Sequence, residues 1–290
     1  MGKYLRKRGI IDLEQTAIQY IKKMQENNEN DMSSPSPIVV KANKNTIWTH
    51  ILEVLKINTD LDFQYITSAQ IKACKSSWNG SASQFEPRLI CKMDTSDSRP
   101  EIFKEHNISI ISVKNGKYLL FKGSIYITLP KIISVPNIIK NSNSIVLSIG
   151  NSESNMLDLM RYGDIFDDII GEPVMYGPIH GGRHRVSFDT RICDNNIEVR
   201  GSQYETDGCY ETENYICVVE AKLVEIRDFN IRQLYYPYRA IHNQCGNQKK
   251  IISLFIHKDK KGVIHVHKYI WNNPGKMLDI EHIGYYSYYL

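Results

Sequence analysis

The residues of greatest chemical interest close the segment Tyr215–Lys222, YICVVEAK, where β-favouring and apolar residues run straight into Glu-Ala-Lys. Such a run reads as a buried strand. Side chains alternate along a strand, so Glu220 and Lys222 share a face. Charges at the end of a buried strand are costly unless they are paired or hold a metal. A turn centred between Glu213 and Asn214 pairs residues whose numbers sum to 427, which sets Asp207 opposite Glu220. Cross-strand Cβ atoms lie about 4.5–5.5 Å apart. Two carboxylates at that distance repel, and a divalent cation between them relieves the repulsion. Oxygen ligands suit magnesium, with manganese as a substitute. Lys222, one pleat along, is placed to orient a nucleophile and balance developing charge.

Other elements must hold these groups in place. After the strand, the spacing predicts a helix over about 228–242 with Asp228 as N-cap. Ile231, Leu234, Tyr235, Tyr238 and Ile241 form its apolar stripe, and Arg232, Tyr236 and Arg239 form a face that could meet phosphates. Pro237 should kink or end that helix. Upstream, SESNMLDLMRYGDIFDDIIG reads as one helix closed by Gly171-Glu172-Pro173. Strands are expected at about 184–188, 197–207, 215–222, 250–257 and 263–271. This order argues for an α/β (α+β) fold, a mixed central sheet flanked by helices. The turn Gly181–Arg185, with Arg183 and Arg185, either clamps a nucleic-acid backbone or is a solvated hairpin. His180 and His184 lack a third ligand at zinc spacing.

The N-terminal part divides into a helix over 1–31, with a Ser/Pro-rich linker from Glu26 to Pro37, and a compact unit over 38–130. In that unit Thr46 caps a helix bearing Ile47, Trp48, Ile51, Leu52 and Leu55. Ser68 caps a short second helix with Ile71 and Cys74. A third starts near Ser83–Pro87 and runs to about Met93, with Leu89 and Met93 on one face and Arg88 and Lys92 on another. Asn115-Gly116 between two apolar runs marks a hairpin tipped by Lys114 and Lys117. Three short helices and a basic hairpin resemble a winged helix, in which the third helix enters the major groove and the wing touches backbone. The plain alternative is a small helical subdomain with no ligand.

Asp207, followed thirteen residues later by Glu220-Ala221-Lys222, resembles the PD-(D/E)XK nuclease superfamily. Thr206 stands where that family has proline. The resemblance implies a restriction-endonuclease-like domain over 131–290. In it Asp207, Glu220 and the Ala221 carbonyl would hold Mg2+ (or Mn2+) and Lys222 would assist the attacking water. An upstream helix acid would join them: Glu153, with Asp158 in reserve, although either can be an ordinary solvated acid. Gln233 is similar to a glutamine that some branches carry after ExK. The C-terminal half looks like a bacterial type II restriction endonuclease. That implies cleavage of double-stranded DNA at a specific sequence, commonly by a homodimer, in a system with a cognate DNA methyltransferase that forms no stable complex with it.

Composition agrees with a globular protein. The 290 residues are 42% hydrophobic and 23% charged, which excludes wholesale disorder. Residues 1–130 hold 18 Lys+Arg against 13 Asp+Glu, net +5; residues 131–290 hold 18 against 19, net −1. The basic half invites a polyanion. No stretch reaches the roughly 18–20 apolar residues of a membrane helix. The start MGKYLRKRGIIDLEQ lacks an apolar core and a cleavage site, and Arg6 stands where a myristoylation motif needs Ser or Thr. The six cysteines form no CxxC pair, so a cytoplasmic protein with reduced thiols is expected. Rival readings are a repair or junction nuclease, a non-catalytic winged-helix regulator, and an accidental motif in which the charges form a structural salt bridge.

Overall fold

The computed structural model describes residues 44–60, 62–78, 85–132, 136–138, 150–178 and 182–289. The helix and linker expected over 1–37, and Ser83, His180 and Gly181, lie outside them. Ala42–Leu290 forms one compact unit.

Its N-terminal part is α1 (Lys44–Val54), β1 (Phe63–Thr67), α2 (Ser68–Ala73), α3 (Pro87–Ile90), α4 (Glu101–Glu105) and the hairpin β2 (Ile108–Lys114) and β3 (Lys117–Lys122). Ile47, Trp48, Ile51 and Leu52 bury one face of α1, as their spacing predicts. Thr46 lies inside that helix rather than capping it. Thr67, not Ser68, caps α2. Its hydroxyl accepts from Gln70 N (3.2 Å), while Gln70 Oε1 accepts from Thr67 N (2.8 Å). The third helix is a single turn. Pro87 starts it as expected, but it ends at Ile90, so Leu89 is 65% exposed while Met93 is buried in the following segment. The two therefore share no face.

The hairpin turns on Asn115-Gly116, with Lys114 opposite Lys117 and Gly116 at φ +72°, a conformation glycine adopts freely. It is not a free wing. β1 pairs with β3, and β2 is continued through Lys114 and Arg200 into the later strand Asn195–Tyr204, which in turn pairs with His184–Ile192, so that the hairpin sits inside a five-stranded sheet. Both faces of the hairpin are covered. Ile108, Ile110 and Leu120 join the core of the N-terminal helices, while Ile111, Val113, Leu119 and Phe121 join that of the C-terminal part.

The C-terminal part follows as β4 (Tyr126–Thr128), β5 (Asn137–Ile138), α5 (Glu153–Tyr162), α6 (Ile165–Ile170), β6 (His184–Ile192), β7 (Asn195–Tyr204), β8 (Gly208–Glu211), β9 (Tyr215–Lys222), β10 (Asp228–Asn230), α7 (Arg232–Cys245), β11 (Lys250–Lys258), β12 (Val263–Trp271) and β13 (Ile280–Tyr289). The expected long helix over 152–171 is two. Asp164 takes φ +56° after Gly163 and turns the chain, so that Met156, Leu157, Ile165 and Phe166 all pack on the sheet. The strand expected over 197–207 breaks after Tyr204. β4, β10 and β13 carry no strong alternation and escape the sequence reading. The protein is thus mixed α and β. Its six-stranded sheet runs β5-β13-β12-β11-β9-β8, with β9 and β11 parallel. The α5/α6 pair covers one face, and α7 with Phe229, Phe255 and Tyr269 covers the other.

β9 is buried from Cys217 to Ala221. Burying a Val-sized side chain contributes about 1.5–3 kcal/mol, enough to hold the charged end of this strand in place. On the α7 face Phe229 stacks on Phe255 (centroids 4.1 Å) and meets the edge of Tyr269. Phe229→Ala is expected to cost about 3–5 kcal/mol. A denaturant midpoint that shifts by less than about 1 kcal/mol equivalent would contradict this packing account.

Asp228 does not cap α7. Ile231 holds that position without a side-chain bond, and Asp228 instead accepts from Ser96 N (2.7 Å) and the Ser96 hydroxyl. Nor does Pro237 end α7, which runs eight residues beyond it. Tyr236 faces inward, fully buried, and its hydroxyl donates to the Ser112 carbonyl (2.7 Å). It is a packing residue, not a phosphate contact.

Candidate active site

The hairpin β8–β9 has the expected register: Gly208 pairs with Val219 and Cys209 with Val218. Just before β8, Asp207 N and the Thr206 hydroxyl both donate to the Val219 carbonyl (3.1 and 3.0 Å). This anchors Asp207 beside the end of β9. Its Oδ2 accepts from Ala221 N (2.8 Å) and lies 3.9 Å from Lys222 Nζ. Lys222 Nζ donates to Glu220 Oε1 (2.5 Å) and to the Ala221 carbonyl (3.0 Å).

Two helices complete the group. Ser152 caps α5 by accepting from Asn155 N (3.1 Å), and the apolar face of α5 packs on the sheet. The first residue of α5, Glu153, is thereby set 3.9 Å from Lys222 Nζ. From the opposite face Gln233, in the first turn of α7, donates through Nε2 to Glu220 Oε1 (2.6 Å). Glu153, Asp207, Glu220, Lys222 and Gln233 therefore meet at one end of β9.

Burial governs the electrostatics. It pushes the Glu220 carboxyl up, reinforced by Asp207 and opposed by Lys222. Glu153 is likewise raised, first by burial, with Lys222 opposing and Asp207 adding. Burial tends to lower Lys222, but Glu220, Asp207 and Glu153 outweigh it and hold the ammonium charged. Burial disfavours the ionised forms of Glu220 and Glu153, and a further cation beside these three acids would favour the charged carboxylates.

The donors available are two carboxylates and the Ala221 carbonyl, all hard oxygens, which fit Mg2+ or Mn2+ rather than a thiophilic metal. Only two side chains are required. Among the described residues no group of three His, Cys, Asp or Glu side chains is arranged to hold a metal. Gln233 Oε1 is buried with no hydrogen-bond partner and remains as an acceptor at the site.

Beside this centre lies a groove of about 620 Å³. Glu220, Gln233, Arg232, Arg88, Lys92 and the turn Asn115-Gly116 line it, and Arg183 also borders it. The basic residues are not bare. Arg88 pairs with Glu86 (3.2 Å), Lys92 with Asp94 (3.2 Å) and Arg183 with Glu205 (3.1 Å), all exposed contacts worth about 0–1 kcal/mol each. Arg232 stacks on Tyr236 (4.6 Å) and donates to the Gln203 carbonyl. Lys114 is exposed at the hairpin end, Lys117 covers the Tyr65 ring (4.0 Å), and Arg185 is exposed on β6. None of these three lines the groove. Arg239 departs from its expected role. Its Nη1 donates to the carbonyls of Pro274 (2.7 Å) and Asp189 (2.9 Å) and to the Tyr235 hydroxyl (3.1 Å), so it locks α7 to the β6 region.

Asp94 and Asn230, both on the groove, were not singled out by sequence. No local pattern marks them, because the bonds that tie the two segments together, Asn230 N to the Asp94 carbonyl and Asn230 Nδ2 to the Met93 carbonyl, join residues more than 130 positions apart. All six cysteines are free, and no described helix is long and apolar enough to cross a membrane.

No curated protein and no solved structure matches the chain. Residues 45–120 match a family described as "Domain of unknown function (DUF6996)", a span that ends inside β3. Residues 121–289, more than half of the chain and home to all five residues gathered at the end of β9, match "Domain of unknown function (DUF6997)", and the chain belongs to that family.

Proposed function

We propose that this protein is a magnesium-dependent endonuclease that hydrolyses phosphodiester bonds in double-stranded DNA at a specific sequence, with a nuclease fold of the PD-(D/E)XK kind. The observation that carries this reading is the convergence of Glu153, Asp207, Glu220, Lys222 and Gln233 from two helices and a hairpin onto one strand end. A purely structural ion pair needs two of these groups, not five.

Asp207, Glu220 and the Ala221 carbonyl would hold the ion. When bound, it neutralises charge developing on the phosphate and acidifies water. Lys222, kept charged by its acidic neighbours, donates to a phosphate oxygen and balances the charge that grows during attack. Gln233 fixes the Glu220 carboxylate by donating from Nε2 to Glu220 Oε1, and the Ala221 amide fixes Asp207. The sheet order β1-β3-β2, with the short helices α2, α3 and α4 between β1 and β2, supports a winged-helix-like reader, with its one-turn α3 on the groove and its hairpin merged into the larger sheet. Duplex DNA is the partner that a groove bordered by Arg88, Lys92, Arg183 and Arg232 would accept, since phosphates can displace weak surface carboxylates.

The test is digestion of a mapped plasmid with purified protein and Mg2+ or Mn2+. Discrete fragments that vanish with EDTA are expected. Random nicking would favour a repair-type nuclease. Intact plasmid across both metals would reject the reading and leave the β9 charges as a structural pair.

A further inference from the structure

Lys92 and Asp94 stand not on a reading helix but on the segment after α3, and that segment is tied to the catalytic half. Asn230 N donates to the Asp94 carbonyl (2.8 Å), and Asn230 Nδ2 donates to the Met93 carbonyl (3.0 Å). Tyr126 donates to the same Met93 carbonyl (3.3 Å), and Ser96 N donates to Asp228 (2.7 Å). Asn230 lies three residues before Gln233, whose amide holds Glu220. A short path of hydrogen bonds and one helical turn therefore joins Asp94 to the catalytic carboxylate. Lys92 Nζ, largely exposed, is held 3.2 Å from Asp94 Oδ2, and both residues line the groove that contains Glu220. Their charges reach the centre: Asp94 acts on both Glu220 and Glu153, and Lys92 acts on Glu153.

We propose that Lys92 grips a backbone phosphate of the strand being cut, next to the scissile one, and that Asp94 is the positioning residue that aims it. The proposal rests on the endonuclease reading and adds to it that the N-terminal region supplies part of the substrate clamp at the catalytic centre itself. A lysine is a point charge suited to one phosphate oxygen, and its exposed pair with Asp94 is weak enough to yield to it. A phosphate gripped beside the reacting one controls alignment, and misplacement by about 1 Å costs on the order of 10²-fold in rate. A backbone contact far from the centre would instead contribute to affinity alone.

The two cases separate in single-turnover cleavage of a plasmid fragment by excess enzyme, with affinity measured on the same DNA in Ca2+. Lys92→Met is expected to slow cleavage at saturation by about 10–100-fold while changing affinity by no more than about threefold. Lys92→Arg should recover most of the rate, and Asp94→Asn should lose a smaller part of it. Far-UV circular dichroism and the denaturant midpoint check folding. Wild-type rate at saturation for Lys92→Met, or a loss confined to affinity, overturns the proposal and leaves the endonuclease reading intact. A wild-type protein that cuts no DNA with either metal removes that reading and this proposal with it.

Discussion

Lys222→Met is expected to lower metal-dependent cleavage by about 10²–10³-fold and Glu220→Gln by at least as much, with affinity for duplex DNA within about threefold of wild type. Lys222 is the hub of the site. Its ammonium lies within 4 Å of Glu220, Asp207 and Glu153 and donates to the Ala221 carbonyl. Removing it takes away the cation that Glu220, Asp207 and Glu153 surround at the strand end, where the proposed reaction would develop charge on a phosphate. On the endonuclease reading, affinity is spread over many phosphate contacts along the groove and should change little. Glu220→Gln keeps the shape and an acceptor for Gln233 and Lys222 but cannot carry the charge that a divalent ion needs. Because burial already disfavours ionised Glu220, this variant should fold as well as wild type or better. Single-turnover rates and a gel shift in Ca2+ make the comparison. Near-wild-type cleavage by either variant would remove that residue from the chemistry.

Acid should destabilise the fold through a histidine ladder that the catalytic reading does not use. His257 on β11 stacks with His265 and His267 on β12, and His267 lies against His282 on β13. His257 and His267 are buried. Burial, then the neighbouring histidines, lowers His257 to about 4 and His267 to about 3. Both folded values lie below the unfolded value of about 6.5, so the unfolded chain binds more protons below that pH. The stability they contribute is complete above about pH 6.5 and is lost as the pH falls toward 4. Between pH 7 and pH 5 each group accounts for about 2 kcal/mol. Glu220, raised by burial, works in the opposite direction over part of that range. The measurement is therefore a difference. Denaturant midpoints at pH 7 and 5 should fall steeply for wild type and by about 4 kcal/mol less for His257→Asn/His267→Asn. An equal fall in both proteins would show that the ladder is not the acid-sensitive element.

Much of the site was legible because its signals are local. YICVVEAK announces a buried strand ending in charge, and a turn at Glu213-Asn214 was enough arithmetic to bring Asp207 to Glu220, the register that β8 and β9 adopt. The four buried residues of α1, the Asn115-Gly116 turn and the helix bearing Gln233 were readable for the same reason: period and turn chemistry act over a few residues. Boundaries set by competing tertiary bonds were not. Asp228 could cap a helix, but Ser96, 132 positions away, claims its carboxylate. Tyr236 and Arg239 share a helical face with Arg232 on paper, yet Ser112 and Pro274 draw them inward. The third helix stops after one turn because Met93 is required in the core of the N-terminal helices. The hairpin expected as a free wing becomes the middle of a sheet, since Ile111, Val113, Leu119 and Phe121 need cover that only the C-terminal part supplies. What the sequence by itself determined is the strand, its charges and their pairing, because alternation and turn position are properties of neighbouring residues. What only the tertiary structure decided is which distant acid, amide and lysine join them. Glu153 and Gln233 were named only through the family resemblance, and Asp94 not at all; they arrive by the packing of separate elements, and burial and hydrogen bonds between residues far apart in the chain leave no local pattern in the order of the amino acids.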